Sequence, residues 1–188
     1  MDHSNLMELL YLKNTDDKDI RIIQNLYYEK TAVVRVGNEI TEWTKIATGV
    51  RQGCVLSPDL YNLYSEIVFC NIQHLDGITI GGTNINNIRY ADDTALLATS
   101  ENKLQELIDQ VVFHSENYGI AINTKKTECV VITKSQSIPM RKIKIAGITL
   151  KQVEKFKYLE SWITSDARCH KDVRTRIAIS ETSLQNTC

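Results

Sequence analysis

Asp92 and Asp93 stand side by side between two β-prone runs, Ile88-Arg89-Tyr90 and Thr94-Ala95-Leu96-Leu97. On a flat strand neighbouring side chains point to opposite faces, so two adjacent carboxylates serve one site only where the backbone turns. The pattern predicts a hairpin at a sheet edge with the acidic pair at its tip, where paired oxygen donors are able to hold a hard divalent cation. A plain polar turn is the other reading, because aspartate favours turns by bonding its own backbone. Neighbouring motifs decide between the two.

At 188 residues and 43% hydrophobic content, the chain is long enough to bury a core, and one domain is expected. Its longest apolar runs, such as Ala95-Leu96-Leu97-Ala98 and Cys129-Val130-Val131-Ile132, fall far short of the roughly 20 residues a membrane helix needs. Met1 to Asn5 carries neither a basic segment nor a long apolar one, so an intracellular protein, cytoplasmic or nuclear, is expected. The five cysteines form no Cys-x-x-Cys pair and the four histidines are dispersed, which argues for reduced thiols and against structural zinc. Net charge is only −1, yet it is divided: residues 1–133 carry 11 Lys/Arg against 18 Asp/Glu, and residues 134–188 carry 11 against 5. That asymmetry suits an acidic, metal-holding body with a basic surface for phosphates, and equally an ordinary domain with a basic tail.

Periodicity predicts a helix from Asp16 to Tyr28, with Ile20, Ile23 and Tyr27 on one face and Asp16 or Asp17 as cap. A hairpin follows, Thr31 to Val36 and Ile40 to Ile46 around Gly37-Asn38-Glu39. A second helix begins with Ser57 at N-cap and Pro58 at N1, its apolar stripe running from Leu60 to Leu75. Short strands are expected at Ile78-Thr79-Ile80, Ile85 to Tyr90 and Thr94 to Ala98. A third helix should run from about Glu101 to Tyr118, stopped by Gly119. Beyond it the pattern reads as a strand from Glu128 to Thr133, a hairpin around Ala146-Gly147, more strand from Phe156 to Ile163, and a closing helix from Lys171 to Leu184. The succession argues for an α+β domain with helices on one face of an antiparallel sheet.

Two further stretches carry chemistry. In Gly49-Val50-Arg51-Gln52-Gly53-Cys54-Val55-Leu56-Ser57-Pro58 the glycines allow close backbone approach and a helix start favours anions. Arg51 offers a planar phosphate partner, and Gln52 both donates and accepts; a tight loop with one surface arginine is the alternative. After the third helix, Asn123-Thr124-Lys125-Lys126-Thr127 offers a cation useful beside a leaving pyrophosphate, or else a solvated surface.

In this order the stretches resemble the reverse transcriptase domain of non-LTR (LINE-type) retrotransposons, of the endonuclease–reverse transcriptase kind. Residues 49–58 are similar to motif B, Tyr90-Ala91-Asp92-Asp93 to motif C, Asn123 with Lys126-Thr127 to motif D, and Phe156-Lys157-Tyr158-Leu159 to motif E. The resemblance implies a polymerase palm-like antiparallel sheet over residues 1–165, with incomplete fingers and a truncated thumb-like helical region over 166–188. It implies Asp92 as principal metal ligand, Asp93 as supporting carboxylate and Tyr90 as a contact near the primer end. Arg51, Gln52 and Gly53 would lie against template and incoming nucleotide, and Lys126 would serve as proton donor or partner to pyrophosphate. The implied partners are an RNA template, a DNA primer and dNTPs, with no membrane. The implied cofactor is Mg²⁺, two ions about 3.5–4 Å apart, with Mn²⁺ as the substitute.

The chain departs from that pattern twice. Met1-Asp2-His3 is similar to the Val-Asp-His end of motif A, which puts the bridging motif A aspartate before Met1, in a longer polyprotein along with the fingers. Glu160 stands where the family has glycine, in Tyr158-Leu159-Glu160-Ser161, a poor replacement if that position needs positive φ or close approach. The expectation is a fragment with impaired or no polymerase activity alone; the alternatives are a retroelement-derived non-catalytic module that binds nucleic acid or protein, and a relic with no role.

Overall fold

Four α-helices of ten residues or more and fourteen strands of two to four residues build the described part of the chain, residues 1–135, 137–168 and 172–176 of a computed structural model. The α+β class agrees with the sequence pattern. The chain divides into two units interleaved along the sequence. The first comprises Met1–Leu75, Arg89–Asp92 and Gln110–Ile122; the second comprises Asp76–Ile88, Asp93–Asp109 and the residues from Asn123 onward.

The first unit is built on helices. Helix α1 (His3–Leu12) is capped by the Asp2 carboxylate, which accepts from the amides of Ser4 and Asn5 at 2.9 and 3.1 Å. Its Leu6, Leu9 and Leu10 meet Ile20, Ile23 and Tyr27 of α2 (Asp17–Tyr27) in one buried cluster. Each such side chain contributes about 1.5–3 kcal/mol of burial. Asp16 caps α2 as expected, whereas α1 is missing from the sequence-based reading.

Strands β1 (Thr31–Ala32), β2 (Arg35–Val36), β3 (Glu39–Ile40) and β4 (Thr44–Lys45) make the expected hairpin, β1 with β4 and β2 with β3. Its turn is Gly37-Asn38 alone, with Glu39 already paired to Val36. Helix α3 (Ser57–Cys70) adds Leu60 and Tyr64 to the cluster. Its N-cap is Leu56, so Ser57 is helical and does not cap, contrary to expectation; its hydroxyl instead donates to the Arg51 carbonyl at 2.7 Å. The helix also ends at Cys70, before the apolar stripe does, although Ile72 beyond it is buried.

The second unit is built on hairpins. Strands β5 (Ile78–Ile80) and β6 (Thr83–Ile85) pair around Gly81-Gly82, while β7 (Asn87–Tyr90) and β8 (Asp93–Leu96) pair around Ala91-Asp92. Helix α4 (Glu101–Asn117), which the division between the units crosses, ends as predicted at Gly119 (φ +63). Gly119 N–H bonds Glu116 O and Ile120 N–H bonds Ser115 O, the paired bonds of a Schellman ending. Strand β9 (Glu128–Val130) follows, then the hairpin of β10 (Lys144–Ile145) and β11 (Ile148–Thr149), then β12 (Lys151–Val153). Gln105 of α4 bonds both the N–H and the C=O of Lys144 at 2.8 Å, as a neighbouring strand would. Strands β13 (Lys155–Tyr158) and β14 (Ser161–Thr164) close the described fold, turning at Leu159-Glu160.

A single antiparallel sheet faced by helices is not what the described strands form. They make seven two-stranded pairs, and β9 runs parallel to β12. Residues 131–150 supply the long crossover a parallel pair requires. Of the expected closing helix, residues 172–176 are helical; the rest of that helix, and most of the expected thumb-like segment, lie outside the described residues. No helix among the described residues is long and apolar enough to cross a membrane.

Candidate functional site

Ala91 and Asp92 form the two-residue turn between β7 and β8, and Tyr90, Ala91, Asp92 and Asp93 are all exposed. Ala91 takes φ 50 and Asp92 is not among the positive-φ residues, so the tight turn places one L-residue at positive φ, as short hairpin turns require. The acidic pair thus sits at a hairpin tip, as the sequence pattern predicts.

Both strands of the hairpin are held. In the first unit the Arg89 guanidinium meets the Glu66 carboxylate at 2.6 Å and lies 4.6 Å from the centre of the Phe69 ring. In the second, the Tyr158 hydroxyl on β13 donates to the Ile88 carbonyl at 3.2 Å, with Asp93 O 3.5 Å away. Each carboxylate has a phenol in its field. Burial pushes the Tyr61 hydroxyl above its usual pKa and the charge of Asp92 adds to the shift. Burial and then Asp93 do the same to Tyr158. These tyrosines escaped the sequence-based reading of roles; the only local signal was the place of Tyr158 in the motif E-like stretch.

Arg51, Gln52 and Gly53 are exposed on the loop before α3. The Arg51 carbonyl accepts from both Ser57 Oγ and Cys54 N, and Gly53 takes φ +78, a backbone only glycine adopts freely. Lys126 is exposed on a turn organised by Asn123, whose carbonyl and side-chain oxygen accept from Lys126 N at 3.1 and 3.2 Å. Thr127 Oγ1 bonds the same carbonyl at 2.9 Å. Arg51, Gln52, Gly53, Tyr90 and Asp92 belong to the first unit, and Asp93 and Lys126 to the second.

Residues 1–162 match the family of reverse transcriptases (RNA-dependent DNA polymerases). The chain belongs to the reverse transcriptase family. It is 29% identical over 139 residues to a retrovirus-related Pol polyprotein from the type-1 retrotransposable element R2 of Popillia japonica, covering 72% of this chain and 20% of that protein. It is 28% identical over 145 residues to the RNA-directed DNA polymerase from the mobile element jockey of Drosophila melanogaster, covering 73% and 15%. A third relative, the Pol polyprotein from the type-2 element R2DM of the same fly, is 25% identical over 179 residues, covering 89% and 17%. These relatives are non-LTR retrotransposon polyproteins, of whose length this reverse transcriptase chain spans a fifth or less.

The donor chemistry at the tip of this reverse transcriptase hairpin suits magnesium in part. Mg²⁺ takes oxygen ligands, commonly one or two carboxylates completed by water and substrate phosphates, and Asp92 and Asp93 supply two. Among the described residues, however, no three His, Cys, Asp or Glu side chains gather as a metal site. Asp2, in the stretch similar to the end of motif A, is occupied as the cap of α1. At the other departure, Leu159 and Glu160 take φ 47 and 66. The position does require left-handed backbone, and a glutamate ion-paired to Lys157 fills it.

Proposed function

We propose that the chain carries the palm portion of an RNA-directed DNA polymerase, over residues 1–165, with the thumb-like region beginning at 166–188. The display of two exposed carboxylates on the Ala91-Asp92 turn carries the reading. Asp92 and Asp93 would hold Mg²⁺, which when bound lowers the barrier by stabilising charge on the attacking and leaving oxygens of a dNTP transfer to a primer 3′-hydroxyl. Arg51, Gln52 and Gly53 would lie against RNA template and nucleotide, Tyr90 near the primer end, and Lys126 would donate a proton or a positive charge to the departing pyrophosphate. Base pairing, not side chains, would select the nucleotide.

Among the described residues no third carboxylate gathers with Asp92 and Asp93. Two adjacent aspartates hold one ion more readily than two, so the chain by itself should extend a primer poorly or not at all. The test is extension of a DNA primer on RNA by the purified chain with dNTPs and Mg²⁺; robust extension that disappears in Asp92→Ala overturns the impairment and supports the catalytic roles. The basic balance of residues 134–188, 11 Lys/Arg against 5 Asp/Glu, favours a second reading, a non-catalytic nucleic-acid-binding module. Salt-dependent RNA binding that Asp92→Ala leaves unchanged, without extension, would favour it.

A further inference from the structure

We infer that His3, Tyr27 and Ser57 are positioning residues, a buried brace that sets the shape of the loop from Gly49 to Gly53. All of them lie in the first unit. His3 Nε2 is 3.0 Å from the Gly49 carbonyl; a carbonyl only accepts, so the ring proton sits on Nε2. Around it, His3 N–H bonds Ala47 O and Gly49 N–H bonds Met1 O, so the loop's first residue is tied to the start of α1. Two residues on, the Arg51 carbonyl accepts from Ser57 Oγ at 2.7 Å. Tyr27 joins the two anchors. Its ring meets the His3 ring edge-on at 4.9 Å, and its hydroxyl is 3.3 Å from Ser57 Oγ. Since the serine proton is committed to Arg51, the tyrosine is the donor in that contact.

Burial separates the brace from what it holds. His3, Tyr27 and Ser57 are buried, whereas Arg51, Gln52 and Gly53 are at the surface. Buried polar groups are costly unless their bonds are made, and His3 Nδ1 is left without a partner. The Ser57 hydroxyl does not cap α3, whose N-cap is Leu56. What these polar atoms do in common is bind the carbonyls at 49 and 51, which leaves the side chains at 51 and 52 presented outward in one arrangement. The consequence for template or nucleotide rests on the proposed function; the brace itself rests on the geometry.

Trypsin cleavage after Arg51 measures the brace directly, with cleavage after the exposed Lys30 in the same unit as internal reference. Ser57→Ala and His3→Ala should raise the Arg51-to-Lys30 ratio about tenfold, in keeping with one hydrogen bond each. Ser57→Thr and His3→Gln, which retain a donor, should restore most of it. Tyr27→Phe, the mildest change, should raise the ratio about threefold and keeps the test decisive if an alanine variant fails to fold. An unchanged ratio, or equal acceleration at both sites, overturns the inference. Binding of a primed RNA is then compared with Arg51→Ala. If Arg51→Ala binds as the parent does, the functional reading of the loop fails while the cleavage ratio still decides the brace.

Discussion

The turns Ala91-Asp92 and Leu159-Glu160 each join two four-residue strands, and each holds ordinary L-residues in left-handed backbone. They distribute that strain differently. In the first, the left-handed residue is Ala91, the smallest with a Cβ, and the carboxylates of Asp92 and Asp93 follow on unstrained backbone. In the second, both turn residues are left-handed and both are bulky, at about 1–2 kcal/mol each, and the exposed Lys157–Glu160 pair returns at most about 1 kcal/mol. The first turn sets its positive-φ residue beside an exposed acidic pair; the second sets two under a leucine and a glutamate.

The largest test of that contrast is catalytic. In any assembly of this chain that polymerises, Asp92→Ala should lower primer extension by about 10³-fold, equivalent to about 4 kcal/mol, while Glu160→Gly should not lower it. Retained extension in Asp92→Ala would erase the difference between the turns. Stability comes next. Glu160→Gly should raise unfolding free energy by about 1 kcal/mol in denaturant titration, because glycine adopts φ 66 without a Cβ clash. Ala91→Gly should bring a similar gain together with weaker Mg²⁺ binding, since a looser tip no longer presents Asp92 in one geometry.

Tyr158→Phe links the two hairpins in one measurement. Removing the hydroxyl that bonds Ile88 O should cost about 0.5–1.5 kcal/mol and speed amide exchange in β7 and β8. The smallest expected effect is electrostatic. Tyr61 and Tyr158 are raised above the ordinary phenol value of 10.0, by burial first and by Asp92 and Asp93 second. The folded state therefore keeps these protons to higher pH than the unfolded chain does. Their contribution to stability is full below pH 10 and is lost as pH rises through the folded values. Ultraviolet titration should show Asp92→Asn lowering the Tyr61 transition and Asp93→Asn that of Tyr158; crossed or absent effects would break the pairing.

Much of this was legible in local sequence. The stripe Ile20, Ile23, Tyr27, the stop at Gly119 and the turn at Ala146-Gly147 are set by periodicity and by backbone that few residues adopt, so they survive in any context. The acidic tip was readable for the same reason; at Glu160 the resemblance left positive φ and close approach both open, and the structure shows positive φ. Helix α1 is signalled only by Asp2 and the spacing of Leu6, Leu9 and Leu10, a weak mark because a ten-residue helix is marginal alone and is held by its packing on α2 and α3. The parallel pairing of β9 with β12 had no signal, since two short apolar runs carry no mark of which neighbour they join.

What the sequence determined by itself was the family, through its ordered motifs, and the turn that makes Asp92 and Asp93 neighbours at a tip. Only tertiary structure decided what surrounds those residues. Tyr61 and Tyr158 come beside the carboxylates and His3 reaches Gly49, all across chain separations that local periodicity does not encode. The physical reason is one of range. Turn type and helix phase are set by the dihedral preferences of a few adjacent residues, whereas a hydrogen bond between distant segments depends on how the buried cores bring them together.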